Sequence, residues 1–158
     1  MIIHPIKPLY DENSALLILG SFPSVKSREA GFYYGNPQNR FWRVLAAVYG
    51  EETPESTEEK KRFLHSHNIA LFDVIKSCEI DGSSDGSIKD VRPNDISAII
   101  KKTKIKKIFL NGKTAERYYK KYNSDKINLP AVCLPSTSPA NAAWSGEKLI
   151  QAWKEIRD

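Results

Sequence analysis

The apolar run Ala15-Leu16-Leu17-Ile18-Leu19, closed by Gly20, constrains this chain more than any other stretch. Five residues suffice for one strand and are too few for a helix. The lack of alternation reads as a strand covered on both faces, as in a parallel sheet. Just past its carboxyl end come Gly20-Ser21-Phe22-Pro23-Ser24, small and turn-forming residues at the place where open α/β sheets bind ligands. A second loop, Gly31 to Asn39, is crowded with aromatics and amides. A helix follows, expected from about Pro37 or Gln38 to Tyr49, because Phe41, Val44, Leu45 and Val48 recur at i, i+3, i+4 and i+7. One strand, two polar-aromatic loops and one helix make a pocket wall, where we expect the active site.

The same grammar repeats down the chain. Before the first strand, His4-Pro5-Ile6-Lys7-Pro8 reads as an extended segment, since prolines and their predecessors disfavour helix. Ser56 or Thr57 caps a polar helix running to about His67. Ile69 to Ile75 reads as a second buried strand with one charge, Asp73, near its end. An isolated carboxylate in such a run is costly unless it is paired or binds something. Cys78 to Asp90 reads as a long polar loop that lacks the terminal glutamate and flanking helices of a calcium loop. Pro93 is expected to open a helix to about Lys102. Lys107 to Gly112 gives a third strand and turn, Lys113 to Tyr122 a basic helix, Ala131 to Leu134 a fourth strand, and residues from about Ala142 to Arg157 a last helix. Asn111-Gly112-Lys113-Thr114 lacks the first glycine of a phosphate loop. Strands alternating with helices predict a three-layer α/β/α sandwich around a four-stranded, mostly parallel central sheet, with residues 1–158 forming a single domain.

With 41% hydrophobic and 27% charged residues, the chain has the balance of a globular protein rather than a disordered one. No apolar run approaches the length of a membrane helix, and the N-terminus lacks a signal peptide's layout, so a cytoplasmic protein is expected. Two cysteines, Cys78 and Cys133, cannot supply a four-cysteine metal site and read as reduced core thiols. His65 and His67 lie two apart on a helix and share no face, so no metal site is expected. The net charge is +5, and between Lys101 and Lys126 ten Lys or Arg residues stand against only Glu116 and Asp125. Such a field suits a polyanion such as nucleic acid, and it equally suits a solvated lysine face.

Gly20-Ser21-Phe22-Pro23-Ser24, then Tyr33-Tyr34-Gly35-Asn36-Pro37-Gln38-Asn39-Arg40-Phe41-Trp42, then Leu134-Pro135-Ser136-Thr137-Ser138, together resemble the uracil-DNA glycosylase superfamily. Within it the chain is most similar to the hypoxanthine-DNA (deoxyinosine) glycosylases. The resemblance covers nearly the whole chain. It implies an enzyme that flips a deaminated base out of double-stranded DNA and hydrolyses its N-glycosidic bond. No lysine or N-terminal amine stands out as a Schiff-base nucleophile, so a monofunctional hydrolase without cofactor or metal, acting as a monomer, is expected. Related mismatch-specific uracil glycosylases carry a water-orienting asparagine where this chain has Phe22, and the Leu134–Ser138 loop has no histidine. The resemblance moves the catalytic asparagine to Asn39, which can hold the attacking water or hydrogen-bond the departing base, because an amide both donates and accepts. Asn39 also reads as a helix cap. Tyr34 matches the aromatic that stacks on the flipped base, with a core aromatic as the alternative. Asp73 stands where uracil-specific members read the base with asparagine, and a carboxylate accepts the N1–H that hypoxanthine offers. It also reads as a buried structural acid. Ser21, Phe22 and Ser136 complete the expected substrate pocket, and Ser24, Lys26, Ser138 and Asn141 the expected contacts to DNA. A mismatch uracil or xanthine glycosylase, and a non-catalytic nucleic-acid-binding module favoured by Phe22, are the competing expectations.

Overall fold

The computed structural model describes all 158 residues. Its strands are β1 (Ile2–Ile3), β2 (Leu16–Gly20), β3 (Ile69–Asp73), β4 (Ile75–Glu79), β5 (Lys89–Pro93), β6 (Lys107–Asn111) and β7 (Ala131–Leu134). Its α-helices are α1 (Val25–Ala30), α2 (Phe41–Val48), α3 (Thr57–Ser66), α4 (Ser97–Lys101), α5 (Lys113–Tyr122) and α6 (Gly146–Trp153). Strands β2, β3, β6 and β7 form one parallel sheet in the order β3-β2-β6-β7. This is the expected α/β/α sandwich. Successive β2 side chains point to opposite faces, so both faces need cover. Ile18 packs with Phe41, Leu45 and Trp153 of α2 and α6, whereas Leu17 and Leu19 pack with Ile99, Ala115 and Tyr119 of α4 and α5. The unalternating apolar run is the direct trace of that double burial.

Three local expectations give way. The run from Ile69 to Ile75 is two strands: β3 ends at Asp73, and after Val74 the chain leaves the parallel sheet as β4. The expected polar loop from Cys78 to Asp90 is largely a hairpin, β4 pairing antiparallel with β5, and β1 flanks β4 on its other edge. Pro93 therefore ends a strand, and the helix starts only at Ser97. β4 and β5 are short strands held by pairing across their hairpin and with the distant β1, which periodicity in one window does not register. The helix after Asn39 begins at Phe41 rather than Pro37, and α1 is an additional short helix between the two loops. Cys78 is buried, Cys133 is half-buried and both are free thiols. No helix is long and apolar enough to cross a membrane.

Two registers position the site. Gly20 lies opposite Asp73, and Asn111 lies opposite Leu134. The polar residues that end β3 and β6 therefore meet the loops that follow β2 and β7, all at the carboxyl edge of the sheet.

Candidate active site

At that edge lies a cavity of about 470 Å³. It is lined by Ser21, Phe22, Ser24, Tyr34, Asn39, Asp73, Ser136 and Ser138, all singled out in the sequence, and by Asp85, Asn111 and Thr137. Lys26 stands exposed on α1 outside it, and Asn141 lines an adjoining groove with Lys113, Thr114 and Trp144. The structure thus brings together eight of the ten expected residues.

Asn39 is fixed by two donors. The Phe41 backbone N–H donates to its Oδ1 at 2.9 Å, opening α2, and the Thr137 hydroxyl donates to the same oxygen at 2.9 Å. Because a backbone N–H only donates, the amide has one orientation: oxygen toward Phe41 and nitrogen away from it. Both lone pairs of Oδ1 are used, so Nδ2 is the group left for a ligand. The side chain that closes the turn before α2, whose N-cap is Arg40, is thus one that lines the cavity.

Thr137, fully buried, ties two asparagines together. Asn111 Nδ2 donates to its Oγ1 at 3.1 Å, and its backbone N–H donates to Asn111 Oδ1 at 3.1 Å. Asn111 Nδ2 also reaches the Tyr34 hydroxyl at 3.3 Å. Tyr34 holds a left-handed backbone conformation (φ 53°), costly for an aromatic residue. Its ring stacks on Phe41 with centroids 3.9 Å apart. Burial, and next the neighbouring Asp73 carboxylate, push the Tyr33 and Tyr34 hydroxyls far above the usual phenol range, so both keep their protons.

Asp73 is buried at the strand end, and its Oδ2 accepts from His4 Nε2 at 2.7 Å. Its backbone carbonyl accepts from Asn94 Nδ2 at 2.9 Å. Its Oδ1 hangs over the Gly20 Cα so closely that a Cβ there would lie 2.5 Å from it and 3.2 Å from the Tyr34 hydroxyl. Gly20 is glycine because Asp73 and Tyr34 occupy the place of a side chain. Phe22 forms an apolar wall, edge-on to His4 with centroids 5.8 Å apart, under the Arg28 guanidinium.

The loops are held from behind. Ser24 caps α1, accepting from Ser27 N–H at 3.1 Å, and Ser27 Oγ accepts from Gly35 N–H at 2.9 Å, which ties the aromatic loop to α1. The Arg40 guanidinium donates to the carbonyls of Ser138 at 2.9 Å, Asn141 at 3.1 Å and Trp144. Asn141 Nδ2 donates to Ser136 O at 3.0 Å. At the rim, partial desolvation pushes the Asp85 carboxyl above the usual carboxylate range, opposed by hydrogen bonds from Ser21 and Thr114. No three His, Cys, Asp or Glu side chains gather in a group able to hold a metal ion.

Sequence reasoning passed over His4, Asn111 and Asp85, and took Thr137 only as part of a loop. Asn111 carried a signal, a lone amide closing an apolar strand at the level of Asp73. His4 carried none, since its partner lies 69 positions away.

Residues 7–157 match the model of the Uracil DNA glycosylase superfamily. A Methanosarcina acetivorans protein named hypoxanthine DNA glycosylase is 37% identical over 158 residues, covering 99% of this chain and 98% of that protein. A Methanosarcina barkeri protein of the same name is 35% identical over 113 residues, covering 70% of this chain and 72% of its own length. A solution NMR structure from Methanosarcina acetivorans, described as a candidate uracil DNA glycosylase, superposes with a TM-score of 0.82 at 32% identity over 99% of this chain and 100% of that one. By the span of the family match and by relatives of this identity over nearly full length, the chain belongs to the uracil DNA glycosylase superfamily.

Proposed function

We propose that the protein is a monofunctional DNA glycosylase that removes hypoxanthine from deoxyinosine in double-stranded DNA, acting as a monomer, with Asn39 as its catalytic residue. The observation that carries this reading is the Asn39 amide, held by Phe41 and Thr137 with only Nδ2 open to the cavity. Of the two roles open to an asparagine here, the filled lone pairs of Oδ1 favour the donor. As the bond between C1′ and the base nitrogen breaks, its electron pair stays with the base while water adds to C1′, and the water's proton ends on the released base. A fixed N–H aimed at that growing negative charge stabilises the transition state more than the ground state. Asn39 Nδ2 fills this role without accepting a proton.

The remaining residues hold the flipped base. Tyr34, backed by Phe41, offers a rigid stacking face, and Phe22 closes an apolar wall. Asp73 Oδ1, unpaired within the protein, accepts the N1–H of hypoxanthine. Ser136 closes the base pocket beside Ser21, and Ser138 contacts the DNA backbone from the same loop, with Ser24, Lys26 and Asn141 as further contacts.

The test is single-turnover excision on duplexes carrying deoxyinosine, deoxyuridine or deoxyxanthosine, with Asn39→Ala in parallel. Hypoxanthine release that falls by about 10²–10³-fold in the variant is expected, the usual cost of losing one preorganised donor. Faster release of uracil or xanthine would move the base preference. DNA binding with no base released would make the protein a binding module.

A further inference from the structure

We propose that His4 is the positioning residue that sets base specificity: locked as an Nε2–H donor against Asp73, it makes the cavity accept a base with a ring N–H and reject one with a bare ring nitrogen. The proposal rests on the reading of Asp73 as the group that meets the base.

The lock follows from two hydrogen bonds. Ile6 backbone N–H donates to His4 Nδ1 at 3.2 Å. A group that accepts there carries no proton, so the neutral ring's single proton sits on Nε2. Nε2–H then donates to Asp73 Oδ2 at 2.7 Å. An imidazolium would set its Nδ1–H against the Ile6 N–H, donor against donor. The pair is dry: the two side chains are 3% and 5% exposed, and Phe22, Tyr33 and Phe72 surround the imidazole with centroids 5.8, 6.1 and 5.3 Å away. The segment bearing His4 is itself anchored. His4 N–H donates to Lys76 O at 2.8 Å, and Tyr33 Oη donates to Lys7 O at 2.8 Å.

This arrangement does to Asp73 what a free carboxyl would not permit. A buried carboxylate without a partner tends to be neutralised, and a neutral carboxyl donates as well as accepts. With Oδ2 committed to the imidazole, only Oδ1 faces the base, and it faces as an acceptor. Hypoxanthine presents N1–H to such a group. A purine with a bare N1 sets lone pair against lone pair, and buried polar groups left unpaired are what gives a site strong discrimination. Duplex DNA is filled with adenine, whose N1 is bare, so the lock discriminates hypoxanthine from the adenine it derives from.

The experiment compares single-turnover excision of hypoxanthine from deoxyinosine with excision of purine from purine 2′-deoxyriboside, whose N1 is bare and which carries no 6-substituent. Native protein, His4→Leu and His4→Gln are used. Differences in intrinsic bond lability cancel when the inosine-to-purine ratio is compared between proteins. The native ratio is expected to exceed about a hundredfold and to collapse to within about tenfold in His4→Leu. His4→Gln, whose amide keeps one acceptor for Ile6 and one donor for Asp73, is expected to hold the ratio within about threefold of native. Equal loss of both rates in His4→Leu, with the ratio intact, would overturn the proposal and leave His4 a scaffold residue. Nitrogen-15 NMR of the native imidazole tests the lock without any variant. A protonated Nε2 and bare Nδ1 is expected, and an imidazolium or the other tautomer overturns it. Native protein that releases no base from any duplex overturns the glycosylase reading itself, an outcome distinct from a native enzyme whose ratio ignores His4.

Discussion

The two ends of the Asn39 side chain meet different surroundings. Its oxygen accepts from Phe41 N–H and Thr137 Oγ, which opens α2 and joins it to the loop after β7, and its nitrogen faces the cavity. Asn39→Asp separates these functions, because an aspartate keeps the acceptor oxygen and loses the donor. The variant is expected to fold with a melting temperature close to native. Its excision of hypoxanthine should be at least about a hundredfold slower, and a carboxylate pointed at a developing anion adds repulsion to the lost hydrogen bond. Thermal melts beside single-turnover rates check this. Near-native excision by Asn39→Asp would return the residue to the water-holding role, where an acceptor suffices. Thr137→Val is the companion test: it keeps the shape, removes the donor that steadies Asn39, and should slow excision by about tenfold.

At the scale of elements, the site depends on loops from β2 and β7 approaching the end of β6 closely. Gly112, between β6 and α5, makes the approach possible. It adopts φ 98°, and a Cβ on it would lie 2.9 Å from Ser136 Cβ. Both the backbone conformation and the space exclude a side chain. Gly112→Ala is expected to cost about 1–3 kcal/mol in denaturant unfolding. The Ser136 loop should shift with it, so hypoxanthine excision falls as well. A substitution that left both stability and excision unchanged would mean that the loop approaches independently of this turn. The same logic explains the Arg40 guanidinium: a planar fork satisfies the carbonyls of Ser138, Asn141 and Trp144 together, which an ammonium does not match in geometry.

For the molecule as a whole, the basic stretch from Lys101 to Lys126 divides. The backbone N–H groups of Lys104 and Lys106 donate to Ser14 O and Ala15 O, and Lys107 pairs with Leu16. These residues lie at the amino edge of the sheet, a five-residue strand and so about 13 Å from the cavity's edge. Lys113 lies at the carboxyl edge, in the groove beside Ser136 and Ser138. The charge run is therefore split between the two edges of the sheet, with Lys113 in the groove and Lys104, Lys106 and Lys107 far from it. Lys113→Ala is expected to weaken duplex binding and to reduce the slope of log K against log salt by about one, whereas Lys104→Ala with Lys106→Ala leaves the slope nearly unchanged. Fluorescence anisotropy across a salt series measures both, and equal slopes in the two variants would place the DNA elsewhere.

The sequence by itself determined the parallel sheet and the place of the site. Leu17 to Leu19 and Ile108 to Leu110 are unalternating because both faces of β2 and β6 are covered, and that burial is written locally in residue type, whereas β7 lies at the sheet edge with only Leu134 buried. The loops past β2 and β7, with Ser21, Phe22 and Ser136, were legible because polar loops at the carboxyl ends of parallel strands converge on one edge, whereas Asn39 was singled out by the family resemblance. Only the tertiary structure decided where β3 yields to β4, because the bend at Val74 answers to β1 and β5 rather than to its own window. It alone set His4 against Asp73, turned the Asn39 nitrogen toward the cavity and placed Lys104 at the far edge. Hydrogen bonds between residues dozens of positions apart leave no periodicity behind, since a donor and its acceptor are matched by geometry and not by spacing along the chain.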